Sequence, residues 1–145
     1  MALFLSRFYE PHRIYFNTAS RELMNGKKVG HWMWFMFPQL RGLGQSAKSS
    51  FYGLSGIHEA REFYNDSRLG PHLIELSKIL LDISVSDPSR IFPPKDVLKL
   101  RSCMTLFEIA TRNKVFKDVL VKYYGGERDD KTIEILESGE ENWED

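Results

Sequence analysis

Residues 26–46 read GKKVGHWMWFMFPQLRGLGQS, and they hold several of the groups in this chain best suited to meeting a ligand. His31 opens a run of seven, His-Trp-Met-Trp-Phe-Met-Phe, that carries no charge unless the histidine is protonated. An indole such as Trp32 or Trp34 offers a flat face for a planar group and one N–H donor. Histidine offers acid, base or hydrogen-bonding chemistry near neutral pH. Gln39 and Arg41 follow at the exit of the run, and Arg41 is succeeded by Gly42 and Gly44. Backbone N–H groups, a guanidinium and the start of a helix near Ser46 would together suit an anion. A Gly-x-Gly without a preceding strand is not a dinucleotide fingerprint, and a plain turn is the simpler explanation.

A second group lies further on, in KDVLKLRSCMTLFEIATR, residues 95–112. With Lys99 at zero and an advance of ~100° per residue, Arg101, Thr105, Glu108 and Arg112 cluster on one side and predict a solvent stripe. Nearly everything else is apolar, so this helix is expected to be central and buried. Lys99 and Ser102 break that pattern, because an unpaired ammonium on an apolar face is costly. Either Lys99 packs its stem and extends its head past the helix end, with Asp96 as a partner, or it points into a polar pocket. Ser102, one turn on, would line the same pocket.

No nucleophile–base pattern and no Gly-x-Ser-x-Gly elbow is present, so no catalytic residue is named. His12, His31, His58 and His72 lack close ligand spacing, no cysteine joins them, and no metal or other cofactor is expected. Cys103 has apolar neighbours and reads as a small core residue.

The elements that must position these groups follow from periodicity. Helices are expected over 12–25 (stopped by Gly26), 55–65, 69–83, 95–112, 113–124 and 130–138. A short turn is expected at 89–92. The 31–37 run reads better as a short buried helix ending near Pro38 than as a strand, since a lone strand would leave backbone groups unpaired. The fold class is therefore all-α, with about six main helices in one domain over 1–136 and an acidic tail over 137–145.

Bulk properties set limits. A chain of 145 residues, 42% hydrophobic and 28% charged, is large enough to bury a core without a metal or disulfide. One cysteine, no signal peptide and no apolar run long enough to span a bilayer point to a cytoplasmic protein with no membrane association. Formal charge is +0 overall, which argues against a dedicated nucleic-acid binder. Residues 1–50 carry seven Lys/Arg against two Glu, a bias that leaves room for a small anionic ligand.

Taken in order, GKKVGHWMWFMFPQLRGLGQS, YGLSGIHEAREFYND, LGPHLIEL, DVLKLRSCMTLF and FKDVLVKYYGGERDDKTIEIL resemble the domain of unknown function 1810 family from Arg7 to Leu136. The resemblance implies a single compact, mostly helical domain and carries no catalytic residue with it. Pro93-Pro94 stands where the family often has a glycine after phenylalanine, and Cys103 where it often has serine. Some members bear a calpastatin label, but inhibitory segments of that type are disordered and poor in aromatics, whereas this chain is 13% aromatic.

The leading functional expectation is a pocket for a small anionic, nucleotide-like or phosphorylated metabolite, formed by His31, Trp32, Trp34, Gln39, Arg41, Gly44, Lys99 and Ser102. The alternatives are a protein-interaction module in which the tryptophans are core, and a nucleotide or ADP-ribose-processing hydrolase.

Overall fold

Helix α1 spans Ser6–Met24 in the computed structural model, which describes residues 5–139. It starts six residues before the expected 12–25 helix and takes in Pro11, because tertiary contacts hold the turn ahead of the proline. Phe8 is buried, and the Arg7 guanidinium reaches Glu59 (2.9 Å) and the carbonyls of Phe51 (2.6 Å) and Gly53 (3.0 Å). The predicted glycine stop is present. Gly26 sits at φ 71°, its N–H bonds the Leu23 carbonyl, and Lys27 N–H bonds that of Glu22, the paired bonds of a Schellman motif.

Seven further helices follow among the described residues: α2 (Met33–Met36), α3 (Ala47–Tyr52), α4 (Ile57–Asn65), α5 (Leu69–Asp82), α6 (Pro94–Thr111), α7 (Lys114–Tyr124) and α8 (Asp130–Glu137). A 3-10 turn spans Pro88–Arg90. The all-α class is as expected. The count of eight exceeds the six main helices because α2 and α3 are one- and two-turn pieces too short to show a periodic stripe. No strand occurs among the described residues; Leu40 and Leu54 form one isolated parallel bridge. Of the acidic stretch 137–145, Glu137 is the last residue of α8, and residues 140–145 fall outside the described residues.

The aromatic run is divided between core and surface. Trp32, Met36 and Phe37 are almost wholly buried, as are Phe8, Phe63, Phe107 and Phe116. Trp32 donates its indole N–H to Glu22 Oε1 at 2.8 Å, and the N–H groups of Val29 and Gly30 bond the same oxygen. Burial pushes the Glu22 carboxyl up, but these donors outweigh it and hold it below the usual range. This carboxylate fixes the loop that carries His31.

Helix α6 is central as predicted, packed against α4, α7 and α8, with Leu100, Cys103, Met104, Leu106 and Phe107 buried. Its polar stripe is a solvent stripe only at Arg112, which is exposed just past the end of the helix. Thr105 is fully buried and accepts from Asp129 N–H (2.9 Å), Glu108 pairs with Arg128 (2.8 Å), and Arg101 reaches toward Glu127 (3.6 Å). The stripe receives the 127–129 segment leading into α8. Periodicity marks such a face as polar but cannot say whether water or protein meets it. No helix among the described residues is long and apolar enough to cross a membrane.

Candidate functional site

Two adjoining hollows, about 320 and 330 Å³, meet along Trp34 and Lys99. The one-turn helix α2 buries Met33, Phe35 and Met36, which leaves Trp34 on its outer side, partly exposed. Facing it is the first turn and a half of α6. Lys99 Nζ lies 3.9 Å from the centre of the Trp34 ring, a cation–π contact, and 3.3 Å from Asp96 Oδ1. The other Asp96 oxygen meets Lys28 Nζ at 2.9 Å. One buried carboxylate thus serves two ammonium groups.

The first hollow is further lined by His31, Lys48 and Lys95. Neither Lys48 nor Lys95 has an ion-pair partner among the described residues, and both are exposed. The second hollow adds Gln39, Gly44, Arg101, Ser102, Asp129 and Lys131. Ser102 donates to Asp129 Oδ2 at 3.0 Å, and that oxygen also receives Thr132 N–H as the cap of α8. Arg101 Nε is buried without a hydrogen-bond partner among the described residues. Gly44 packs so close to α3 that an added Cβ would stand 2.9 Å from Ser49 Cβ.

Six of the eight residues expected from sequence converge here: His31 and Trp34 on the first hollow, Trp34, Gln39, Gly44 and Ser102 on the second, and Lys99 on both. Trp32 and Arg41 do not. Trp32 is wholly buried with its N–H engaged by Glu22, so it belongs to the core. Arg41 turns toward α3, with Nε 3.3 Å from the Ser50 carbonyl and Nη2 3.4 Å from that of Gly53. Gly42, at φ 102°, serves the turn itself. Sequence reasoning missed Lys28, Lys48, Lys95 and Lys131. The excess of basic residues over 1–50 includes the first two, but no spacing ties them to α6.

Chemically, the cleft offers spare positive charge beside an aromatic face. It offers little for bond cleavage. Asp96 is held by two lysines and Asp129 by its capping role. Cys103 is wholly buried in the core, and that burial raises its thiol above its ordinary range. Among the described residues no group of three or more His, Cys, Asp or Glu is placed to hold a metal ion.

Fold and cleft together define a small all-helical domain with a lysine-rich, tryptophan-walled surface cleft. The family model for proteins of unknown function designated DUF1810 matches residues 3–136, and the chain belongs to that family. It is similar, at 42% identity and a TM-score of 0.89, to the crystal structure of the conserved hypothetical protein Rv1873 from Mycobacterium tuberculosis. That likeness covers 92% of this chain and 96% of the other. None of the curated proteins matches it.

Proposed function

We propose that the cleft around Trp34 and Lys99 binds a small anionic metabolite of nucleotide-like or phosphorylated type. The observation that supports this is the charge balance around an accessible indole. Lys28, Lys48, Lys95 and Lys99 surround the first hollow against Asp96 alone, with Trp34 as its wall. A planar group would lie along the indole, and phosphate or carboxylate oxygens would take the lysines that lack partners. Binding rather than hydrolysis is the better reading, because both carboxylates at the cleft are already engaged.

The test is thermal unfolding in the presence of nucleotides, nicotinamide dinucleotides and sugar phosphates. A ligand at about 100 times its Kd adds about 2.7 kcal/mol, a shift of several degrees. Lys95→Ala and Lys99→Ala are expected to reduce the shift. The reading fails if no compound moves the wild type, or if a compound moves both variants as much.

A further inference from the structure

A separate hollow of about 290 Å³ opens between α1 and the start of α5, and it holds a histidine pair sixty residues apart in sequence. The His72 ring stacks on Phe16 at 3.8 Å between centres, and the His12 ring lies nearly coplanar with it, edge to edge, its centre 5.2 Å away. His12 Nδ1 and His72 Nδ1 lie 2.9 Å apart, and His12 Nε2 lies 2.6 Å from the Phe35 carbonyl.

These contacts fix every ring proton. A carbonyl only accepts, so His12 Nε2 carries hydrogen. Burial lowers the His12 pKa to about 4, so near neutrality its Nδ1 is a bare lone pair. His72 Nδ1 must then be the donor. His72 is also held below its ordinary range, chiefly by burial, so its Nε2 is left as a lone pair. That nitrogen has no hydrogen-bond partner among the described residues. His12 thus acts as an orienting partner, and His72 Nε2 is the open acceptor of the pair.

The rim of the hollow is cationic. Arg13 pairs only with Glu10, in a contact whose side chains are 70% and 65% exposed and which water makes cheap to release. Arg68 lies 4.4 Å over the Tyr9 ring. The nearby Asp66 carboxylate is taken by Tyr9 O–H and the N–H groups of Arg68 and Leu69. Glu75, on α5 itself, is the acidic group whose charge His72 feels, and Arg68 opposes it. A matching ligand must therefore present negative charge and a hydrogen-bond donor within one small group. A carboxylate or a phosphodiester brings the charge without the proton. A phosphate that keeps one proton brings both.

We propose that this hollow is a second binding site, independent of the lysine cleft, for a singly protonated phosphate, free or as a monoester. Its O–H donates to His72 Nε2 and its charged oxygens meet Arg13 and Arg68.

The test follows the histidine ring nitrogens of ¹⁵N-labelled protein near pH ~6, where the protonated phosphate is well populated. Inorganic phosphate, methyl phosphate and dimethyl phosphate are titrated at constant ionic strength. The first two are expected to move His72 Nε2 saturably from the lone-pair toward the protonated range, while the His12 nitrogens keep their state. Tighter binding of methyl phosphate assigns the monoester, and tighter binding of inorganic phosphate the free ion. Dimethyl phosphate, which has no O–H, is expected to bind at least about tenfold more weakly. Arg68→Gln, an exposed position, is expected to weaken phosphate by a similar factor. His72→Phe keeps the stack and should abolish the response; if it does not fold, Arg68→Gln still decides. The proposal is overturned if His72 does not move, if dimethyl phosphate does as well, if Arg68→Gln binds unchanged, or if only His31 responds, which would place the anion in the lysine cleft.

Discussion

Two charged clusters, one under α1 and one at the cleft, are both built on a buried carboxylate, yet they are finished differently. Glu59 receives Arg7 through both oxygens (2.9 and 3.3 Å) and Ser55 N–H (2.9 Å), and Arg7 passes its other donors to the Phe51 and Gly53 carbonyls. Positive and negative charge match there one for one. Asp96 instead faces Lys28 and Lys99, with Lys48 and Lys95 at the same hollow and no further carboxylate. The first cluster is closed and joins α1 to the 51–59 segment. The second carries an excess that an anion would complete. Charge near a buried acid is thus matched where the donors and acceptors balance, and left unmatched where they do not.

The largest effect should come from opening the closed cluster. Arg7→Met or Glu59→Gln leaves a buried polar or charged partner without its match, and each is expected to cost about 3–5 kcal/mol in urea unfolding. Arg7→Met with Glu59→Leu together should cost much less than the two single losses added. Lys99→Ala leaves Asp96 with Lys28 and is expected to cost about 1 kcal/mol or less. Equal losses at Glu59 and Lys99 would erase the distinction between the clusters.

A pH titration sharpens it next. Folding lowers the His12 pKa from 6.5 to about 4, so between those values the unfolded chain binds a proton that the native state does not. Stability is therefore full above pH 6.5, falls as pH drops through this window, and His12 adds no further loss below about 4. The histidine share is about 3 kcal/mol, and His72 acts in the same sense. Burial pushes Glu59 up, but its bonds to Arg7 and Ser55 outweigh this and lower it, so its contribution is lost only as pH falls below its ordinary 4.5. His12→Gln, which can still donate to the Phe35 carbonyl, should flatten the unfolding curve between pH 6.5 and 4.5 and leave the steeper acid limb. An unchanged slope there would mean that His12 is protonated in the native state.

Much of this was readable in the chain, and the residues that were not share a cause. The extents of α5 and α6 and the Gly26 stop are local signals, and the structure shows them close to the expected positions. Lys99 stood out because it violated a local pattern, and it is indeed paired and stacked. Trp32 and Trp34 are two residues apart and chemically alike. Only Glu22, ten residues upstream of Trp32, decides which indole is core. Arg7–Glu59 and His12–His72 are separated by 52 and 60 residues. Their partners meet through the packing of α1 on α5 and on the 51–59 segment, which no periodicity encodes.

The polar stripe of α6 gives a smaller and more specific effect. Thr105 donates to the Arg101 carbonyl (2.8 Å) and accepts from Asp129 N–H (2.9 Å) while fully buried. Thr105→Val keeps the shape and strands that N–H, at a cost of about 1–3 kcal/mol. The loss should be local. Amide exchange in α8 is expected to accelerate more than exchange in α7, because Asp129 is both the cap of α8 and the group anchored by Thr105. Uniform acceleration through both helices would mean that the 127–129 segment does not hold α8 in place.

The smallest stability change is the most informative about the cleft. Lys95 is exposed, lines both hollows and has no ion-pair partner among the described residues. Lys95→Ala should therefore unfold within about 0.5 kcal/mol of wild type. If the lysine excess exists for packing or solubility alone, nothing else should change. If it exists to meet an anion, a phosphorylated compound that stabilises the wild type should bind the variant several-fold more weakly, and the difference should shrink as salt screens the cleft. Lys114, whose charge is already matched by Asp118 at 3.0 Å, supplies the control: removing it should alter neither stability by more than a few tenths of a kcal/mol nor ligand response. A lysine that matters to binding and not to folding is what an incomplete charge cluster requires, and a closed cluster such as Arg7–Glu59 cannot supply one.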